Sequence, residues 1–202
     1  MRLFYSPTSP FVRKVLVLAH ETGQLGQLEL VPVVTSPTEP DPGLMARNPL
    51  VKLPSLDVGG GETLYDSRVI CEYLDTLHEG RRLLPESGLA RFRVLRLQAL
   101  ADGAVDAGLL VRYEQILRPE AQRSAAWSAA QARKIVAALD ALEGEAPGWG
   151  AELDLGQIAV ACALGWLEFR KPVGEFGAGR PRLWAWYERV RERPSLRQTE
   201  PR

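Results

Sequence analysis

Leu3-Phe4-Tyr5-Ser6-Pro7-Thr8-Ser9-Pro10-Phe11-Val12-Arg13-Lys14 (residues 3–14) joins a short apolar run to the head of a helix. Serine–proline punctuation ends the run. Ser9 then stands where an N-cap belongs, with Pro10 at the first helical position. From Phe11 to Glu21, Phe11, Val15, Leu18 and Ala19 share one helical face, which Val12 and Leu16 widen, and Gly23 closes the helix. A second strand is predicted over Leu28 to Val34. Pro32 lies inside it and has no N–H to give a ladder, so this strand belongs at a sheet edge. The stretch Thr35 to Gly43 holds three prolines and reads as a loop. Pro54 to Val58 and Glu62 to Leu64 flank Gly59-Gly60-Gly61, a hairpin signal. Asp66 then opens a helix reaching about Leu77. The order is therefore β-α-β-(loop or short helix)-β-β-α.

The remainder is helical in pattern. Runs are predicted over Leu89 to Leu117, Pro119 to Leu142, Leu155 to Arg170 and Pro181 to Arg193, punctuated by Pro119, Pro147-Gly148, Pro172 and Pro194. Asp154 and Gln157 can form a capping box at the head of the third run. The expected organisation is an α/β domain over residues 1–78, a linker over 79–88 and an all-helical domain over 89–202.

Composition narrows the function classes. The 202 residues are 46% hydrophobic and 25% charged, the mix of a globular protein rather than a disordered one. The 25 basic and 25 acidic residues cancel, whereas nucleic-acid or anionic-membrane partners favour a basic excess. The longest nearly apolar stretch, Ile158 to Leu167, falls short of the roughly 20 residues needed to span a bilayer. Met1-Arg2-Leu3-Phe4-Tyr5 turns polar too soon for a secretory leader. Two cysteines and two histidines, none in paired spacing, supply no metal cluster. A cytoplasmic protein without metal, nucleic-acid or membrane partners is expected.

Three pieces could carry chemistry, and each also has a plain structural reading. Ser9 fits an ordinary helix cap; equally, a hydroxyl beside free N–H groups and the positive end of a helix dipole can donate to a bound thiolate. In Asn48-Pro49-Leu50-Val51-Lys52-Leu53-Pro54, Pro54 suits a trans proline entering a strand. A cis bond there would turn the N–H and C=O of Leu53 outward to pair with an extended peptide. In Tyr65-Asp66-Ser67-Arg68, Asp66 is a good cap. Together with Ser67 and the free N–H groups it could also hold the ammonium and carboxylate of an α-amino-acid end group.

Taken in order, Thr8–Lys14, Asn48–Pro54 and Tyr65–Leu74 resemble the glutathione S-transferase family, in its bacterial serine-type or theta-like branch, and the resemblance runs the length of the chain. It implies a thioredoxin-like first domain followed by an all-helical second domain. It further implies that Ser9 hydrogen-bonds the glutathione sulfur, that Pro54 is cis with Leu53 pairing to the cysteinyl backbone, that Asp66 and Ser67 hold the γ-glutamyl end, and that Lys52 reaches the glycine carboxylate. A cytoplasmic homodimer using glutathione as cosubstrate against a small hydrophobic electrophile, in a detoxification role, would follow. A glutathione-dependent peroxidase or isomerase, or a non-catalytic scaffold of the same fold, are the alternatives. Omega-type and glutaredoxin-like relatives carry a cysteine where this chain has Ser9, and a serine forms no mixed disulfide.

A thiol of pKa about 8.5 is only about 3% thiolate at pH 7. Lowering that pKa by about two units takes about 2.7 kcal/mol and raises the thiolate fraction roughly 20- to 25-fold. One hydroxyl hydrogen bond to a charged group, about 1.5–3 kcal/mol, supplies much of that. Tyr5, Ser6 and Thr8 are rival donors. Asp102 and Asp106 lie one turn apart on the long helix, and Arg112 and Tyr113 are pocket candidates by the same resemblance. Cys71 and Cys162 read as buried apolar residues. His20 and His78 read as surface residues near helix ends, Arg91, Arg93 and Arg96 as a solvated or subunit-facing stripe. Trp166, Phe169, Trp184, Trp186 and Tyr187 read mainly as packing.

Overall fold

The computed structural model describes residues 1–201 of the 202. β1 (Arg2–Tyr5), α1 (Pro10–Glu21) and β2 (Glu29–Pro32) form a unit in which β1 and β2 are parallel. A one-turn α2 (Pro42–Met45) follows, then the hairpin β3 (Ser55–Gly59) and β4 (Glu62–Leu64), and α3 (Ser67–Asp75). The sheet order is β2-β1-β3-β4, with β3 antiparallel to β1 and to β4. β2 does lie at the edge, where the missing N–H of Pro32 leaves no ladder position empty. α1 and α3 pack together, and Leu3, Val15, Leu18, Leu56, Ile70 and Leu74 between them and the sheet are fully buried.

The second half consists of α4 (Gly88–Ile116), α5 (Ala125–Glu145), α6 (Leu155–Arg170), α7 (Pro181–Arg191) and α8 (Pro194–Gln198). α6 is buried on every side from Leu155 to Leu167, which explains its nearly unbroken apolar sequence. It lies along α4 and reaches across to α1, so one helix braces both halves. The Asp154–Gln157 capping box forms, each side chain bonding the other's backbone N–H (2.8 and 2.9 Å). At Gly156 a Cβ would come within 2.8 Å of the Val94 carbonyl oxygen, so the close approach of α6 to α4 requires a residue without one. No helix among the described residues is long and apolar enough to cross a membrane.

Two local expectations are corrected. The helix predicted from Pro119 starts at Ala125: Ser124 accepts from the Trp127 N–H at 3.2 Å as the true cap, while Glu120–Gln122 makes a separate 3-10 turn. The Glu114 carboxylate, accepting from the Ser124 N–H at 2.7 Å, fixes this start from the preceding helix. His78 is not a surface residue; its side chain is 7% exposed, with Nε2 3.1 Å from Asp75 Oδ1. The chain after α3 folds back on it: the Gly80 N–H donates to His78 Nδ1 at 3.1 Å, and the buried Asp75 carboxylate accepts from the N–H groups of Leu83 and Leu84 (2.9 and 3.0 Å). On the stripe read as solvated or subunit-facing, Arg91 and Arg96 are paired with Glu72 and Glu145, and Arg96 is exposed.

Candidate active site

A cavity of about 860 Å³ opens between the first-domain loops and the helical half. Ser6 and residues 8–11, 35–37 and 50–53 supply one wall, and α4 and α6 supply the other through residues such as Asp106, Leu109, Tyr113 and Trp166. Ser9 caps α1, its Oγ accepting from the Val12 N–H at 3.3 Å. That bond uses an oxygen lone pair and leaves the hydroxyl proton free to donate into the cavity, beside the positive end of the α1 dipole. Ser6 and Thr8 also line the cavity and lie 3.4 Å from one another, oxygen to oxygen; Tyr5 does not line it.

Lys52 and Leu53 belong to the same first-domain wall as Ser9, and the Leu53–Pro54 peptide is cis. Asn48, fully buried, holds this loop: its amide donates to the Lys52 carbonyl (3.1 Å) and to Ser55 Oγ (3.0 Å). Lys52 is exposed and has no ion-pair partner among the described residues. Thus Ser9, Lys52 and Leu53 meet at one cavity, while Pro54, Asp66 and Ser67 stand outside its wall. Asp66 is exposed at the cap of α3, its carboxylate accepting from the Arg68 N–H at 2.9 Å, and Ser67 is buried. Asp66 is nonetheless within electrostatic reach of the cavity. Asp106 is held above the ordinary carboxylate value by lost solvent first, then by Asp102 and, more weakly, by Asp66; Lys52 and Arg68 oppose this.

Behind the cavity lies a buried ionic junction. Lys14 of α1, 1% exposed, donates to both oxygens of Asp102 on α4 at 2.9 Å, and Arg68 Nε of α3 donates to the same carboxylate at 2.9 Å. One carboxylate therefore ties the Ser9 helix to the helix that forms the far wall. Trp166 of α6, read mainly as packing, also faces the cavity. Its ring is seated against Gly108 of α4, where a Cβ would come within 2.6 Å of ring atom Cζ3.

Residues 3–82 match the family model for the glutathione S-transferase N-terminal domain, and residues 125–189 that for the C-terminal domain. The GST-like protein YibF of Escherichia coli K12 is 38% identical over 204 residues, covering 100% of this chain and 98% of its own. The chain belongs to the glutathione S-transferase family. Among solved structures, a glutathione transferase family member from Pseudomonas fluorescens Pf-5 with bound glutathione superposes on it with a TM-score of 0.97 at 48% identity, covering 100% of this chain and 98% of the other. A second structure of a Pf-5 family member, with bound S-(propanoic acid)-glutathione, gives 0.92 at 46% identity and covers 100% of both chains.

Among the described residues this family member carries no cysteine on its cavity wall. Cys71 and Cys162 are buried, and burial pushes their thiols up to about 12 and about 11. Such thiols are neither ionised nor accessible at neutral pH. Ellman's reagent is accordingly expected to titrate neither thiol in the native protein and both in denaturant; rapid native labelling of Cys71 would contradict this burial.

Proposed function

We propose that the chain is a glutathione transferase, forming the glutathione thiolate at Ser9 and directing it at an electrophile in the same cavity. The observation that carries this reading is Ser9 itself: a cavity-lining hydroxyl whose lone pair is taken by the Val12 N–H and whose proton is free, at the head of α1. A thiolate there accepts the hydroxyl hydrogen bond and gains from the helix dipole. The Leu53 backbone is read as pairing with the cysteinyl unit beside cis Pro54, the unpaired Lys52 as meeting the glycine carboxylate, and Asp66 with Ser67 as holding the γ-glutamyl end. The glutathione bound in a relative at 48% identity supports the choice of cosubstrate. Residues 1–78 are then the glutathione-binding unit, 79–88 the linker and 89–202 the unit supplying the electrophile wall. The working form is read as a cytoplasmic homodimer with a detoxifying role.

Calorimetric titration with reduced glutathione tests the reading. Binding in the micromolar to low-millimolar range is expected. Asp66→Ala is expected to weaken it by about 5- to 150-fold, the worth of a charge-assisted partner at about 1–3 kcal/mol. Wild-type protein that binds no glutathione would end the transferase reading. Unaltered affinity in the variant would move the γ-glutamyl end elsewhere.

A further inference from the structure

The helix wall of the cavity holds a feature that the glutathione contacts proposed above leave unused. Arg112 of α4 and Arg170, the last residue of α6, both line it, and neither has an ion-pair partner among the described residues. Arg170 Nε is buried without a hydrogen-bond partner, although the guanidinium is stacked over the Phe169 ring with Cζ 4.1 Å from its centroid. A guanidinium does not shed its proton at any ordinary pH, so two of them beside an apolar wall keep their charge. Elsewhere this chain places an acid against most of its arginines, as at Arg68, Arg96, Arg180 and Arg193.

Within the cavity the like charge of Arg112 acts on Arg170. Burial, then that repulsion, holds the Arg170 guanidinium below its ordinary value, and an anion between the two would relieve both. Around them stand Phe11, Leu109, Ile116 and Trp166, apolar surface suited to a hydrocarbon or aromatic body. A cavity of 860 Å³ lies high in the range of about 300–1,000 Å³ usual for small-molecule sites, which leaves room for a second molecule beside a tripeptide.

We propose that the electrophile of this enzyme carries a carboxylate on an apolar body, with Arg112 and Arg170 gripping the carboxylate and the apolar wall holding the rest against the glutathione sulfur. The proposal rests on the transferase reading above and names its second substrate by class. Planar guanidinium forks match a carboxylate two bonds at a time, and the Tyr113 hydroxyl beside Arg112 can add a third donor. A benzylic chloride gives the balanced step. The thiolate sulfur forms a bond to the benzylic carbon, the carbon–chlorine bond breaks, chloride leaves with its electron pair, and the thiol proton has already passed to solvent.

The test uses matched probes that differ in one group. 4-(Chloromethyl)benzoate and 4-(chloromethyl)benzamide are compared as substrates, and S-(4-carboxybenzyl)glutathione and S-(4-carbamoylbenzyl)glutathione as bound products, with glutathione alone titrated in parallel. The carboxylate member is expected to bind about tenfold more tightly and to show about tenfold higher kcat/KM, the scale of one charge-assisted hydrogen bond in a partly wet site. In Arg112→Gln/Arg170→Gln the ratio of the two product affinities should fall to about one while glutathione keeps its affinity, and Arg170→Lys should retain part of the preference. Equal affinity and turnover of the two probes in the wild type would overturn the inference and leave the transferase reading standing. A glutathione affinity that collapses in the double variant would assign the arginines to glutathione and overturn it too. Failure of the wild type to bind glutathione would remove the transferase reading beneath it, and the inference with it.

Discussion

Asp102→Ala is expected to destabilise the fold by about 3–5 kcal/mol, measured as a fall in the urea midpoint at unchanged slope. The reason lies in what remains. Arg68 is 47% exposed and turns to water when its acceptor is removed, but the Lys14 side chain is 1% exposed and cannot. Its ammonium would stay buried beneath the sheet-facing helices with no counter-charge, or force water into a packed junction. Breaking one side of such a pair costs far more than the pair itself is worth. The double substitution Lys14→Met/Asp102→Leu, which removes both charges and retains volume, is therefore expected to recover most of the loss, with a coupling of at least about 2 kcal/mol in the cycle. A single-variant loss below about 1 kcal/mol would show that the junction is not the brace between α1, α3 and α4 described above. Activity would suffer as well, because α1 carries Ser9 and α4 carries the opposite wall.

The architecture was legible because its signals are local. The strand-to-helix turn at Ser9-Pro10, the proline inside β2, the triple glycine between β3 and β4, and the Asp154–Gln157 box each specify a backbone geometry within a few residues, and each appears where it was expected. Of the residues read as site candidates, Ser9, Lys52 and Leu53 converge on one cavity even though 43 positions separate Ser9 from Lys52, with Arg112 and Tyr113 on its far wall. What sequence reasoning missed was relational. Lys14 sits one turn before the buried Leu18, so helical periodicity alone places a cation on the buried face of α1, but only the fold reveals that Asp102 answers it. Arg170 reads as an ordinary basic residue at a helix C-terminus. Its importance comes from facing the cavity beside Arg112, 58 positions earlier in the chain. The burial of His78 is relational in the same way, since the backbone that bonds its ring and its partner Asp75 arrives after the helix has ended.

Ser9→Ala is expected to lower kcat/KM by about 10- to 150-fold, the loss of one hydroxyl hydrogen bond to a thiolate at about 1.5–3 kcal/mol. Glutathione should still bind within a few-fold of wild type, because in the proposed reading Lys52, the Leu53 backbone and Asp66 hold the rest of the tripeptide. The midpoint of the thiolate ultraviolet absorbance in the complex should rise by about one to two pH units, so that the sulfur is largely protonated at neutrality. The same substitution also removes the cap bond to the Val12 N–H, which costs about 1 kcal/mol of stability and could be mistaken for the catalytic effect. Two further variants separate the roles. Ser9→Asp retains the cap, since aspartate serves there as well as serine, but sets a carboxylate against the thiolate; it should be as stable as wild type and more impaired than Ser9→Ala. Ser9→Thr retains both the cap and the donor and should restore most of the absorbance. If Ser9→Ala leaves the absorbance midpoint where it was, the proton comes instead from Ser6 or Thr8, the other hydroxyls on the same wall, and Ser9 is a cap alone.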